Sequence, residues 1–287
     1  MTTGKYIVLK EAKFLFIKGK DNKDFLQGII TNDINKCNKK VIYSCLLSPQ
    51  GKFLSDFFII PFNDSFLIEI NQKFFNDFIA KLKLYKLRSN INIDETNDFT
   101  SVVIINNSSS NSTEEGQIIL DKEYIEYVDP RNKNLGNRVV IKPELIDNLI
   151  KSKNYSLSNT NEYQKIMIQN LIPNSLNDLI VNKSLLLENN FDQINALDWD
   201  KGCYVGQEIT ARMKHRSLLK KQIYSLEVIS GKVDIGEALK NDQVHLGTVI
   251  SKTNKFIVAM LKIEPINEII KNNKFLETAG GKFKIIH

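Results

Sequence analysis

The stretch Asp198-Trp199-Asp200-Lys201-Gly202-Cys203-Tyr204-Val205-Gly206-Gln207-Glu208-Ile209-Thr210-Ala211-Arg212 decides how this chain is read. A single cysteine stands between Gly202 and Gly206. Two glycines so close together indicate a backbone bend, or a close approach to something bound. From Gly206 onward the residues are good helix formers, which places Cys203 just ahead of a helix N-terminus. Partial positive charge there, with Lys201 two positions away, would favour the thiolate. The plainer alternative is an inert, buried cysteine beside a tight turn. A cysteine-protease pairing needs a positioned histidine; the chain offers only His215, His245 and His287, and nothing specifies a partner among them. Soft ligands are too few, and wrongly spaced, for a metal site.

Composition narrows the classes. The chain has 287 residues, of which 42% are hydrophobic and 25% charged. These are ordinary globular values, and the length suits two or three domains. The net charge of +6 is carried almost wholly by lysine, spread among asparagine and isoleucine. That pattern reads as a solvated surface, with a polyanionic ligand left open. No nucleic-acid motif stands out, so direct nucleic-acid binding is not expected. Cys37, Cys45 and Cys203 form no C-x-x-C pair, which fits a reducing compartment. No apolar run approaches the roughly 18 residues of a membrane helix. Lys5, Lys10, Glu11 and Lys13 crowd the N-terminus without a signal-peptide core. A cytoplasmic location without membrane association is therefore expected.

Periodicity gives the elements. Residues 6–9, 14–18, 41–47, 53–60 and 65–70 read as strands, with Ser48-Pro49-Gln50-Gly51 as a turn and 24–30 as a short helix. Phe74, Phe75, Phe78, Ile79, Leu82 and Tyr85 recur at helical spacing, which predicts an amphipathic helix over 72–86. Strands follow at 99–105, 117–121, 124–128 and 137–141, with Asn106–Thr113 as a mobile loop, a helix opening at Pro143 and another over 161–171. Beyond about residue 218 the pattern turns to strands at 222–229, 244–250, 255–263 and 282–286, with one short helix near 265–271. The sum is an α+β fold with an antiparallel sheet and a C-terminal all-β barrel or sandwich.

Lys201-Gly202-Cys203-Tyr204-Val205-Gly206-Gln207-Glu208 resembles the K-G-C-Y-x-G-Q-E signature of the YgfZ family, and Ile209-Thr210-Ala211-Arg212 leans toward its mitochondrial iron–sulfur assembly branch. Further segments agree in order. Phe25-Leu26-Gln27-Gly28 with Thr31-Asn32-Asp33-Ile34 resembles the family's N-terminal stretch, and Gly51-Lys52 its G-[KR] turn. Tyr85-Lys86-Leu87-Arg88, Asp129-Pro130-Arg131 with Leu135-Gly136, and Leu187-Glu188-Asn189 also match, so the resemblance runs from about residue 14 to 225.

The resemblance implies the three-domain aminomethyltransferase (glycine cleavage T-protein) fold around tetrahydrofolate. Its parts would be a discontinuous folate-binding domain of residues 1–45 and 151–217, an α+β domain of 46–150, and a β-barrel of 218–287. It implies a folate-binding accessory factor for iron–sulfur cluster assembly or repair, serving iron–sulfur client or assembly proteins, tRNA-modifying enzymes among them. Cys203 would carry that role with Lys201 beside it, and the chemistry of the thiol stays open. Folate needs an aromatic surface, polar groups for the pterin edge and cations for its glutamate tail. Tyr163 falls where some relatives carry a stacking tryptophan. Glu188 suits the pterin amino edge, and Arg212 suits a carboxylate. Trp199, Tyr204, Gln207 and Glu208 complete the expected folate surroundings. One departure bears on catalysis: a true aminomethyltransferase would carry an acidic pair after the G-[KR] turn, whereas Leu54-Ser55-Asp56 leaves only Asp56 as a general base. Enzymatic one-carbon transfer and a folate-independent interaction module are the competing readings.

Overall fold

The computed structural model describes residues 4–106, 114–120, 123–216, 218–241, 244–272, 275–278 and 280–286. Most of the expected Asn106–Thr113 loop, from residue 107 on, lies outside these, as does His287. The chain forms two compact units. One comprises residues 1–50, 54–160 and 192–207; the other comprises 51–53, 161–191 and 208–287.

In the first unit the elements run β1 (Lys5–Leu9), β2 (Ala12–Lys18), α1 (Asn22–Ile29), β3 (Ile42–Leu47), β4 (Phe53–Phe62), β5 (Ser65–Asn71), α2 (Gln72–Lys86) and β6 (Asn92–Thr96). They continue through β7 (Thr100–Ile105), β8 (Ile118–Leu120), β9 (Tyr124–Val128), β10 (Asn137–Ile141), α3 (Ile146–Lys153) and β11 (Ser156–Leu157). Two sheets result, ordered β3-β4-β5-β2-β6 and β11-β1-β7-β10-β9-β8. The N-terminal strands pair with strands of the expected 46–150 domain: β1 with β7, and β2 with β5 and β6. The expected boundary at residue 45 therefore does not separate hydrogen-bonded bodies. Helix α2 forms where its periodicity predicts, burying Phe74, Phe75, Phe78, Ile79 and Leu82; Asn71 caps it, accepting from the Lys73 amide.

A buried ionic lattice joins the two sheets. The Arg138 guanidinium on β10 pairs with Glu69 on β5 and reaches Ser101 Oγ (3.2 Å) and Tyr127 Oη (3.3 Å). Tyr127 in turn donates to Glu69 at 3.2 Å. Beside it Arg131 grips Asp129 through Nε (3.0 Å) and Nη2 (2.7 Å). Two guanidiniums against two carboxylates leave no net buried charge, the condition under which burial is tolerable.

The second unit holds α4 (Thr160–Gln169) and α5 (Gln207–His215), each of whose first residues belongs to the first unit, with β12 (Lys221–Gly231), β13 (Ala238–Asn241), β14 (Val244–Lys252), β15 (Phe256–Lys262), α6 (Ile263–Lys271), β16 (Leu276–Thr278) and β17 (Gly281–Ile285). Strands β12–β17 make one sheet, ordered β13-β14-β15-β12-β17-β16. Its end strands β13 and β16 approach one another, so the sheet nearly closes into a barrel. Leu226, Leu239, Leu246, Ile257, Leu261 and Phe283 fill the inside, and α4 lays Ile168 against Ile223, Phe256 and Val258 on the outside. No helix among the described residues is long and apolar enough to cross a membrane.

Candidate functional site

The signature loop is built onto the C-terminal end of α1. Asp198 starts it: its Oδ1 accepts from the amides of Asp200 (2.8 Å) and Lys201 (2.9 Å), and its Oδ2 pairs with Lys36. Burial raises this carboxyl, but the Lys36 ammonium and the amides hold it below the ordinary range. The Lys201 side chain turns inward, and its Nζ donates to the carbonyls of Gln27 (2.9 Å), Ile30 (2.6 Å) and Asn32 (2.9 Å). It also lies 4.8 Å from the Tyr204 ring centroid. Burial pulls this ammonium down to about 8. Two positions past the cysteine, the Val205 amide donates to Gly28 O at 3.1 Å.

The Thr31-Asn32-Asp33 segment supplies the rest of the seat. Thr31 Oγ1 donates to Ala196 O at 2.7 Å and accepts from the Cys45 amide at 2.9 Å. Asn32 Nδ2 bridges the carbonyls of Tyr43 and Asn195, each at 2.8 Å. Gln27 locks the turn after α1 by donating to Asp33 Oδ1 and accepting from the Ile34 amide, both at 2.9 Å.

Gly206 has φ +82°, a left-handed conformation that glycine adopts without strain, and α5 begins at the next residue. Gln207 closes that turn, its Oε1 accepting from the Tyr204 amide at 3.2 Å. Gly202 has open space where a Cβ would stand. Cys203 is exposed, whereas Cys37 and Cys45 are buried and burial drives both of their thiols up. The inert buried cysteine is thus excluded for Cys203. The Lys201 ammonium, expected two positions from the thiol, commits all three of its donors to carbonyls.

The remaining expected residues divide between the units. In the first, Tyr204 is half-buried with its phenol raised, chiefly by burial and then by Cys45. Trp199 is half-buried. Asp56 accepts from Tyr43 Oη at 2.6 Å, and Tyr43 lies under the Arg131 guanidinium, 5.5 Å from its ring centroid. In the second unit, Glu188 pairs with Lys221 at 3.3 Å, its own side chain only 16% exposed. Arg212 pairs with Glu208 one helical turn earlier, both exposed. Tyr163 is buried beside Met167 and Ile168 on α4, so its ring is not presented as an open stacking platform. Sequence reasoning missed the lattice of Glu69, Asp129, Arg131 and Arg138, although Asp129-Pro130-Arg131 was part of the matched pattern.

Within the first unit, a polar cleft of about 100 Å³ is lined by Asn32, Lys36, Lys40, Tyr43, Glu115 and Asn195 among others. Ligand pockets for drug-sized molecules run roughly 300–1,000 Å³, so this cleft is too small for a folate. Among the described residues, no group of three or more His, Cys, Asp or Glu side chains is placed to hold a metal ion.

Comparison with known proteins completes the site. No family model matches the chain. It is 31% identical over 225 residues to the iron–sulfur cluster assembly factor IBA57 homolog, mitochondrial, of Mycosarcoma maydis, covering 73% of this chain and 54% of that protein. The corresponding factor of Dictyostelium discoideum is 28% identical over 76% of this chain and 61% of its own, and that of Mus musculus 24% over 74% and 63%. The chain spans about half the length of the fungal relatives it matches. These relatives are mitochondrial, which overturns the expected cytoplasmic location. Among solved structures, the glycine cleavage system aminomethyltransferase T of Bartonella henselae superposes with a TM-score of 0.76 over 99% of this chain and 84% of its own, at 10% identity. The chain therefore has the aminomethyltransferase T fold, as the α+β pattern and the signature predicted.

Proposed function

We propose that this chain is a folate-binding accessory factor for iron–sulfur cluster assembly or repair, acting through Cys203. The observation that carries the reading is an exposed thiol on a loop pinned on both sides of it, in a chain related to mitochondrial iron–sulfur assembly factors. Its partners are iron–sulfur client or assembly proteins, tRNA-modifying enzymes among them.

The donor set of the second unit suits tetrahydrofolate. Glu188 is a poorly solvated carboxylate able to accept from a pterin amino edge, and Arg212 is a half-exposed guanidinium whose present partner is an exposed carboxylate easily exchanged for a ligand's. Tyr163, being buried, packs α4 and does not stack on the ligand.

Calorimetric titration with tetrahydrofolate and its 5-formyl derivative tests the folate half. Micromolar binding, weakened by about 1.5–3 kcal/mol in Arg212→Ala, is expected for a lost charged hydrogen bond. The thiol half is tested by iron–sulfur enzyme maturation in cells carrying Cys203→Ala, which should fail while folate affinity stays intact.

One observation favours the enzymatic alternative: Tyr43 holds Asp56 as a general base would be held. Aminomethyl transfer to tetrahydrofolate, lost in Asp56→Asn, would establish that reading; no turnover with intact folate affinity refutes it.

A further inference from the structure

We propose that Lys201 is a positioning residue, whose ammonium clamps the 201–206 loop to the C-terminal end of α1 and so fixes where Cys203 is presented. The inference rests on reading Cys203 as the working thiol, and it gives the lysine beside it a task distinct from acid–base chemistry. A surface lysine ordinarily snorkels its charge into water. This one donates inward to three carbonyls, those of Gln27, Ile30 and Asn32, at 2.6–2.9 Å. Gln27 lies in the last turn of α1 and Ile30 follows its end, where unpaired carbonyls carry partial negative charge. A compact ammonium with three rotatable donors suits three converging carbonyls; a planar guanidinium does not.

Two further contacts bracket the cysteine. On one side the Asp198 carboxylate holds the Lys201 amide at 2.9 Å; on the other the Val205 amide holds Gly28 O at 3.1 Å. The Tyr204 ring rests 4.8 Å from the same ammonium. Gly202 and Cys203 are thus the free span of a loop pinned at both feet, and both are exposed.

The test is hydrogen–deuterium exchange of the amides of 202–206 in the full chain, comparing wild type with Lys201→Met. About tenfold faster exchange at Val205, confined to this loop and to the end of α1, is expected in a variant that otherwise stays folded and still binds folate. Cys203-dependent maturation should fall with it. Unchanged exchange in the folded variant would overturn the clamp, whatever Cys203 does. Faster exchange together with full activity of Cys203→Ala would uphold the clamp and sink the reading of the thiol instead. Should Lys201→Met not fold, ¹⁵N-lysine spectra of the wild type decide: one ammonium exchanging slowly with water, as a triply bonded group must, supports the clamp, and uniformly fast exchange refutes it.

Discussion

Replacing Arg138 with methionine will cost the first unit about 3–5 kcal/mol, the range for removing one partner of a buried ion pair and leaving the other behind. The structure explains the size. The guanidinium faces Glu69, whose side chain is 3% exposed, and also serves Ser101 and Tyr127. It lies 4.1 Å from the Phe58 ring centroid, a further contact of about 0.5–2 kcal/mol. Methionine fills the space of the stem but returns none of these polar partners. At roughly 2–4 °C per kcal/mol for a body of 150–250 residues, melting should fall by about 6–20 °C. Urea unfolding followed by a probe in this unit, such as near-ultraviolet circular dichroism, measures it directly. The double variant Glu69→Gln with Arg138→Met should recover part of the loss, because no buried charge is then left unpaired. A single variant within 1 kcal/mol of wild type, or a double variant worse than the sum of its singles, would refute the claim that charge balance holds these sheets together.

Other outcomes follow from the same physics. Gly206→Ala forces a side chain into the left-handed region and should cost about 1–2 kcal/mol in thermal unfolding, with fraying at the start of α5. Cys203→Ala removes an exposed thiol from an open loop, so its unfolding free energy should match wild type within about 0.5 kcal/mol even as function is lost. For Asp129, burial raises the carboxyl but the Arg131 and Arg138 guanidiniums outweigh it, so the folded value lies below the ordinary 3.8. Its stabilisation is complete above that pH and lost as pH falls through the folded value, and Asp129→Asn should flatten this part of the acid-unfolding curve. For Lys201, burial lowers the folded value from 10.5 to about 8. Between those limits the unfolded chain holds a proton that the folded chain has released, so stability rises with pH there and is level below 8. The wild-type minus Lys201→Met difference in unfolding free energy should climb across that window.

What the sequence revealed depended on how local the signal was. Helix α2 was legible to the residue, because its apolar stripe and its cap are both local. Strand β6, Asn92–Thr96, was missed: its residues are polar and largely exposed, and β-pairing to β2 alone makes it a strand. Strand β4 runs through Pro61, which reads as a breaker yet pairs with Phe66. The lattice around Arg138 was invisible because its members come from positions 69, 101, 127, 129, 131 and 138, and each by itself reads as an ordinary surface residue.

The signature was legible as a pattern but not as a mechanism, and the structure separates the two. Of its eight residues, Lys201 and Val205 bind the end of α1, Tyr204 is half-buried against the Lys201 ammonium, Gly206 turns the chain, Gln207 caps the Tyr204 amide and Glu208 pairs with Arg212. All of these but Glu208, whose ion pair is exposed, hold the loop or the turn in place. The Phe25–Ile34 stretch, some 170 positions away, is the other half of the same seat. Gly202 and Cys203 too are left exposed without such a task. A thiol held outward by so many inward-directed contacts, beside a glycine with open space where a Cβ would stand, is exposed to solvent and takes no part in packing a core.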